Sequence, residues 1–348
     1  MLKRKKLIKC FLSMCLSALI IINCVGTVTA ENDAPWKELY VSVNGDDAGT
    51  GSKESPFKTV QRAKDEVRLI SSGMKGDIII HIGAGRYFLE DTLDFTVEDS
   101  GKNGYKIIYK GDANNTPVIS AGKKIEGFEK STEYPGLYQI RLDDEEYVRS
   151  LYVNDEVRYI AKSTAMVKGV PKPDKLNTDK WYSENPNAPA GDSYNFYDPE
   201  TIYQYDGLYM SKEDIGFYDN VSDIEFCWNE EWESYYIHVK SIEPNPDNDE
   251  QVIVRMDPSV WNSSRIINHI NLAPRGERSF IIRNAMELLD EPGEFYFNRK
   301  TKVLYYMPYA DENMDTADFV IPRLDTVMRF VGNGPEDKVE NITFDGLQ

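Results

Sequence analysis

Ile78-Ile79-Ile80-His81-Ile82, Gly83-Ala84-Gly85, Arg86-Tyr87-Phe88-Leu89 is the stretch on which the fold turns. A β-branched apolar run, a glycine break and a second apolar run follow one another with no room for a helix. The same grammar continues in Leu93 to Val97, Tyr105 to Tyr109 and Val118 to Ala121, with Gly, Asn and Asp in every gap. Short strands returning at this rate fit a β-sandwich or a stacked β-solenoid. In a solenoid each turn, on the order of 20–30 residues, buries its inner face only against its neighbours.

Upstream, Leu39-Tyr40-Val41-Ser42-Val43 alternates as a strand, and Asn44 to Gly51 is a turn-rich loop. Pro56-Phe57 leads into an amphipathic helix with Thr59 as its N-cap. Val60, Ala63, Val67 and Ile70 share one face, and Gln61, Arg62, Lys64, Asp65 and Arg68 cover the other. Ser71-Ser72-Gly73 ends it. One helix ahead of the first coil suits a cap, which covers the open end of the core and blocks edge-to-edge pairing.

Downstream, residues 126–275 change character, becoming rich in Tyr, Trp, Pro, Asp and Asn with longer gaps. Strand candidates persist at Tyr138 to Leu142, Asp223 to Trp228, Tyr235 to Val239 and Gln251 to Met256, so this tract reads as an inserted β-sandwich. From 276 to 348 the chain is expected to return to coil strands. There Glu294 to Phe297 and Val303 to Met307 form a hairpin across Asn298-Arg299-Lys300-Thr301-Lys302. The pattern is still running at Asp345-Gly346-Leu347-Gln348, and a solenoid ending without a cap leaves an open apolar core, so an incomplete coil is expected.

Residues 1–30 read as a secretory leader. Lys3, Arg4, Lys5, Lys6 and Lys9 precede the apolar run Phe11 to Val25 and the small-residue site Val28-Thr29-Ala30. The run is short of the roughly 20 residues of a membrane span. A lipid anchor at Cys24 competes with this reading, but Asn23 stands where a small residue is wanted. The expectation is an extracellular protein with no membrane attachment after cleavage. Without the leader, 35 Lys and Arg face 58 Asp and Glu, a net charge near −23. Such a surface repels nucleic acid, and it disfavours polyanionic substrates unless a local basic cleft or bound Ca²⁺ compensates. Neutral glycans meet no such barrier. Cys227 is the one cysteine left, which excludes a disulfide framework and a thiolate metal site. His81, His238 and His269 lie far apart. No cofactor and no metal are implied.

The stretch from Tyr40 to Asp47, Gly51 and Ser55-Pro56-Phe57-Lys58-Thr59-Val60-Gln61-Arg62-Ala63 resembles the opening of secreted right-handed β-helix proteins. Gly83-Ala84-Gly85-Arg86-Tyr87 and Asp99-Ser100-Gly101 match the following coil, and Ser120-Ala121-Gly122 resembles the point where an insertion begins. The run Asn284 to Tyr296, with Lys302-Val303-Leu304-Tyr305-Tyr306 and Pro322-Arg323-Leu324, is similar to glycoside hydrolase family 141. The resemblance covers nearly all of residues 39–348. It implies a mainly β fold: a right-handed parallel β-helix with an N-terminal capping helix (31–125), an inserted β-sandwich (126–275) and a return to the helix (276–348). It also implies activity on fucose- or xylose-containing polysaccharides. Members carry their catalytic carboxylates in later coils, so no position here inherits them.

Glycoside hydrolysis uses two carboxylates across a cleft. With 58 acidic residues, counting identifies no pair. Asp99, Asp290, Glu291 and Asp325 stand in turns, where capping explains them. Asn44 to Asp47 lacks the spacing of a calcium loop and reads as a hydrogen-bonded turn. Aromatics are the better signal. Trp228, Trp232, Tyr235 and Tyr236 cluster around Asn229-Glu230-Glu231, and Trp181 lies in the Pro-rich part. Trp181, Trp228, Trp232 and Tyr235 are the glycan-contact candidates, against the alternative that they form the domain core. Three functions fit: part of a family 141 hydrolase, a polysaccharide lyase on the same scaffold, or a non-catalytic glycan-binding module. Fold alone does not choose among them, and nothing in the sequence sets the oligomeric state.

Overall fold

The computed structural model describes residues 34–163, 170–173, 205–216, 218–229, 234–257 and 280–348, with backbone only at 170–173, 205, 206, 228 and 229. The chain divides into two compact units, one from its start to Ser120 plus Thr326–Gln348, the other Ala121–Asp325.

Unit 1 begins with strand β1 (Lys37–Val41), helix α1 (Val60–Ile70), and strands β2 (Ile78–Ile82), β3 (Arg86–Phe88), β4 (Leu93–Thr96), β5 (Ile107–Gly111) and β6 (Val118–Ser120). Unit 2 supplies β7 (Gly122–Ile125), β8 (Glu129–Lys130), β9 (Tyr138–Arg141), β10 (Leu151–Val153), β11 (Glu156–Ile160), β12 (Val170–Pro173), β13 (Tyr205–Ser211), β14 (Glu225–Asn229), β15 (Ser234–Pro244), β16 (Gln251–Met256), β17 (Ile281–Arg283), β18 (Glu294–Asn298), β19 (Val303–Tyr306) and β20 (Phe319–Pro322). The chain then re-enters unit 1 with β21 (Met328–Val331) and β22 (Ile342–Asp345). No helix among the described residues is long and apolar enough to cross a membrane.

Every strand pair in unit 1 is parallel. β1, β2, β5 and β22 form one sheet in that order, β3 pairs with β6, and β4 with β21. Strands β2, β3 and β4 thus follow one another in sequence, and each takes a partner from a later segment, β2 pairing with β1 as well. Parallel register stacks like on like. Leu39, Ile80, Tyr109 and Phe344 occupy matching positions across four strands. Tyr109 stacks on Phe344 with centroids 5.0 Å apart, and Phe95 on Phe330 at 4.9 Å. The glycine break at 83–85 has a steric cause. Gly85 has φ +129°, and a Cβ there would stand 2.7 Å from Val43 Cγ1.

Helix α1 forms as its sequence predicts. The Thr59 hydroxyl accepts from Arg62 N–H at 3.0 Å, capping the first turn. Asp47 fixes that cap: its carboxylate accepts from Lys58 N–H and Thr59 N–H, both at 2.8 Å, and from the Thr59 hydroxyl at 2.9 Å. The Asn44–Asp47 loop is therefore bound to the helix start through its own acid. Val60, Ala63 and Val67 are buried as expected. Lys64, assigned by periodicity to the polar face, is buried too at 3% exposure. It pairs with buried Asp99 at 3.3 Å, and Arg68 holds the same carboxylate through Nε at 2.9 Å and Nη2 at 2.6 Å. Burial pushes the Asp99 carboxyl up, but Arg68, the Thr96 N–H and Lys64 outweigh it and hold the group below its ordinary range.

Unit 2 is built from two larger sheets. One runs β7-β20-β10-β11-β18-β19-β9-β8, the other β12-β13-β16-β15-β14-β17. Among the described residues, Leu137, Ala161, Leu289 and Tyr296 form one buried cluster, and Leu288 packs against both it and the cluster of the six-stranded sheet. Leu208, Met210, Phe226, Ile237, Val254 and Ile282 belong to the six-stranded sheet. Leu151, Val153, Phe295, Leu304, Tyr306 and Ile321 belong to the eight-stranded one. The eleven residues of β15 pair with β14 first and with β16 afterwards, across a register shift between Val239 and Ser241. The hairpin expected at 294–307 is present as β18–β19. The sequence reading returns the chain to coil strands at 276. The structure keeps β17 to β20 in unit 2, because β18 and β19 complete a sheet with β11 and β9. The chain rejoins the parallel sheets of unit 1 at Met328, where β21 pairs with β4.

Candidate functional site

The most concentrated chemistry among the described residues lies on the outer face of β14, β15 and β17. Strand alternation creates it. Phe226, Ile237 and Ile282 point into the core, so their neighbours Glu225, Cys227, Tyr236, His238, Ile281 and Arg283 take the opposite face. Antiparallel register sets Glu225 between His238 on β15 and Arg283 on β17, and sets Cys227 opposite Tyr236.

Glu225 is fully buried although it belongs to the outer face, because the segment leading into β10 covers it. The Tyr147 hydroxyl donates to Glu225 Oε1 at 2.6 Å, and Arg149 Nη2 donates to the same oxygen at 3.3 Å. Arg283 donates to Oε2 from Nε at 2.8 Å and Nη2 at 2.6 Å. His238 Nε2 stands 3.4 Å from Oε1, and its Nδ1 is buried without a hydrogen-bond partner. Burial alone would raise the Glu225 carboxyl, but the Tyr147 hydrogen bond and the Arg283 and Arg149 guanidiniums together hold it below its ordinary range.

Rings and cations interleave above this carboxylate. The Arg283 guanidinium lies 4.0 Å from the Tyr236 ring centroid and that of Arg149 5.9 Å. Arg149 and Arg299 lie 4.9 and 5.7 Å from the Tyr147 ring. Such contacts fix a ring at low entropic cost. Tyr236 stays 37% exposed. Cys227 beside it is half-buried, and burial pushes its thiol up, away from nucleophilic chemistry.

A second buried acid stands two residues before Glu225. Asp223 Oδ2 accepts from Tyr296 O–H and Arg299 N–H, both at 3.1 Å, and from Asn220, while Oδ1 is buried and unpartnered. Burial raises its carboxyl, which these contacts only partly offset. Asp223 and Glu225 are thus driven in opposite directions, as acid–base pairs are. Neither opens to a cleft, however. Each is closed by protein groups, so the pair reads as scaffold.

The sequence candidates divide sharply. Trp181 and Trp232 lie outside the described residues. Trp228 is described as a backbone position of β14, opposite Tyr235. Tyr235 itself is 9% exposed and packs in the core of the six-stranded sheet, so its ring has no face for a sugar. Its neighbour Tyr236 carries the exposed ring. Alternation along Tyr235-Tyr236-Ile237-His238-Val239 holds that distinction. Tyr147, Arg149 and Arg283 carry no local sequence signal, because only long-range pairing brings them to Glu225. Asp290, Glu291 and Asp325 are exposed and gather no such cluster.

Residues 206–309, which take in β14 to β17 and the β18–β19 hairpin, match the family model of the GH141 insertion domain. The chain is GH141-like. A solved structure described as a glycoside hydrolase shares the fold of this GH141-like chain with a TM-score of 0.70 at 19% identity. The match covers 89% of this chain and 50% of that one. Uncharacterized protein YwoF of Bacillus subtilis (strain 168) is 31% identical over 117 residues, which are 34% of this chain and 22% of that protein. The GH141-like chain therefore spans half the length of the solved hydrolase and about a fifth of YwoF.

Proposed function

We propose that this chain serves in a secreted carbohydrate-active enzyme of the GH141 kind, acting on fucose- or xylose-containing plant-type polysaccharides. In this reading the parallel strands of unit 1 are rungs of a right-handed β-helix, and α1 caps its first rung. The outer face of unit 2 contacts the glycan through Tyr236. One observation carries the proposal: within the segment that matches the GH141 insertion domain, an aromatic ring stays exposed while fixed polar groups frame it. Sugar rings are recognised this way, by an apolar C–H face on an aromatic with hydrogen-bonding groups at the edge.

Cleavage is assigned elsewhere. The four buried carboxylates among the described residues are Asp99, Asp223, Glu225 and Glu294, and each accepts hydrogen bonds from the protein. None offers the open acid and base of a hydrolase. The test is retention of the purified chain from residue 31 on immobilised fucosylated xyloglucan and xylan, with release of fucose and xylose assayed in parallel. Retention without sugar release is expected. Passage of the chain unretarded through both columns contradicts the glycan reading, and robust release of either sugar contradicts the assignment of catalysis elsewhere.

A further inference from the structure

We propose that the Tyr236 face selects a glycan bearing an isolated carboxylate, a uronic acid substituent on an otherwise neutral chain, with Arg149 as the group that receives it. The inference rests on the glycan reading above and adds the charge of the ligand.

The charge balance of the cluster points to it. The chain as a whole is acidic, at −18. At this face two guanidiniums, Arg149 and Arg283, share the carboxylate of Glu225, so among the described residues one positive charge is left over. The two acids before Tyr147 do not cancel it. Glu145 is paired with Lys123 at 2.9 Å and Glu146 with Lys302 at 3.3 Å. Asp223 is buried against Asn220, Tyr296 and the Arg299 N–H.

The excess is also located. Arg283 is largely buried and commits Nε and Nη2 to Glu225. Arg149 is 53% exposed and gives Glu225 only Nη2, at 3.3 Å. Its Nε and Nη1 make no hydrogen bond to the described residues. Nη1 carries two N–H donors on this exposed guanidinium, and a ligand carboxylate can accept from them in a charge-assisted hydrogen bond. Tyr147 and Tyr236 hold this guanidinium from its sides, so it is ordered before a ligand arrives. Both arginines converge on Glu225, and the Tyr236 ring keeps its exposed surface beyond them. A sugar against that ring brings a substituent within reach of Arg149, whose guanidinium is 5.9 Å from the ring centre. The wider acidic surface repels a polyuronate chain but tolerates one carboxylate at this spot.

The test is calorimetric titration of the full chain with three xylotetraose probes: one carrying a single glucuronic acid, its methyl ester, and the unsubstituted sugar. The acid is expected to bind about tenfold more tightly than the ester, with the gap narrowing in high salt. Arg149→Ala and Arg149→Gln, at a half-exposed position, are expected to erase the difference between acid and ester. Arg149→Lys is expected to restore part of it. Tyr236→Ala should weaken all three probes. Equal binding of acid and ester by the native chain overturns the charge inference and leaves the glycan reading standing. Tighter binding of a sulfated xylotetraose than of the glucuronate overturns the carboxylate assignment. Failure of all three probes to bind overturns the charge inference, and the glycan reading falls with it only when fucosylated xyloglucan is not retained either.

Discussion

Asp99 in unit 1 and Glu225 in unit 2 are the same motif put to different ends. Each is a buried carboxylate shared by two cations, and each is held below its ordinary range by them. The difference lies in where the cations face. Lys64 is 3% exposed and Arg68 comes from the next turn of the same helix, so Asp99 ends as a clamp between α1 and the turn after β4. Around Glu225, Arg149 opens to solvent beside an exposed ring. A buried acid pair is weak evidence of net stabilisation, but the direction of its spare donors separates a clamp from a contact surface.

Removing either acid gives the largest effects and breaks the comparison if the two respond alike. Asp99→Ala and Glu225→Ala each leave two cations without their partner, at a cost of about 3–5 kcal/mol. Thermal unfolding should show both losses. Glycan retention measured below the transition should vanish for Glu225→Ala and persist for Asp99→Ala.

The adjacent tyrosines sharpen the contrast next. Tyr235→Ala empties part of the six-stranded sheet's core and should cost about 3–5 kcal/mol, as large aromatic truncations do. Tyr236→Ala removes an exposed ring and should stay within about 0.5 kcal/mol of native stability, with its loss appearing in glycan affinity. Chemical denaturation and titration on the same two variants separate core from contact. A large stability loss at Tyr236 with unchanged binding contradicts the assignment.

Acid sensitivity follows from the shifted carboxyls. Asp99 and Glu225 have folded-state pKa values below the ordinary 3.8 and 4.5. Their contribution is therefore complete above those values and is lost as pH falls through the folded ones. Asp223 is raised, so its contribution runs the other way, present below 3.8 and lost as pH rises through its folded value. Stability should fall on acidification below about pH 4.5, and Glu225→Gln should flatten that limb in unit 2 only. The smallest effect is at the helix start: Thr59→Ala should cost about 1 kcal/mol and leave binding untouched.

Local signals in the sequence carried the local structure. The Thr59 cap, the Val60/Ala63/Val67 face and the β18–β19 hairpin are all decided within a few residues. What the sequence hid is long-range. Lys64 sits on the polar side of a helical wheel and is buried because Asp99, thirty-five positions later, needs a cation. The stretch after 276 has the β-content of a coil strand, but the partners waiting for β18 and β19 are β11 and β9, and no periodicity reveals them. The site followed the same rule. Residue type drew attention to Trp228, Trp232, Tyr235 and Tyr236, while the one-residue alternation that buries Tyr235 and exposes Tyr236 depends on which face of β15 meets the core. Arg149 and Arg283 carry no motif. They become a pair only when β17 docks on β14 and the 147–149 segment folds over Glu225.

The account rests most directly on the ring at 236 meeting sugar. Fluorotyrosine incorporated throughout the chain, with the 235 and 236 resonances assigned by Tyr→Phe substitution, reports each ring separately during titration with a fucosylated xyloglucan oligosaccharide. The predicted result is a saturable shift at 236 and a silent resonance at 235. A silent 236 resonance alongside a shift at any other tyrosine contradicts the account.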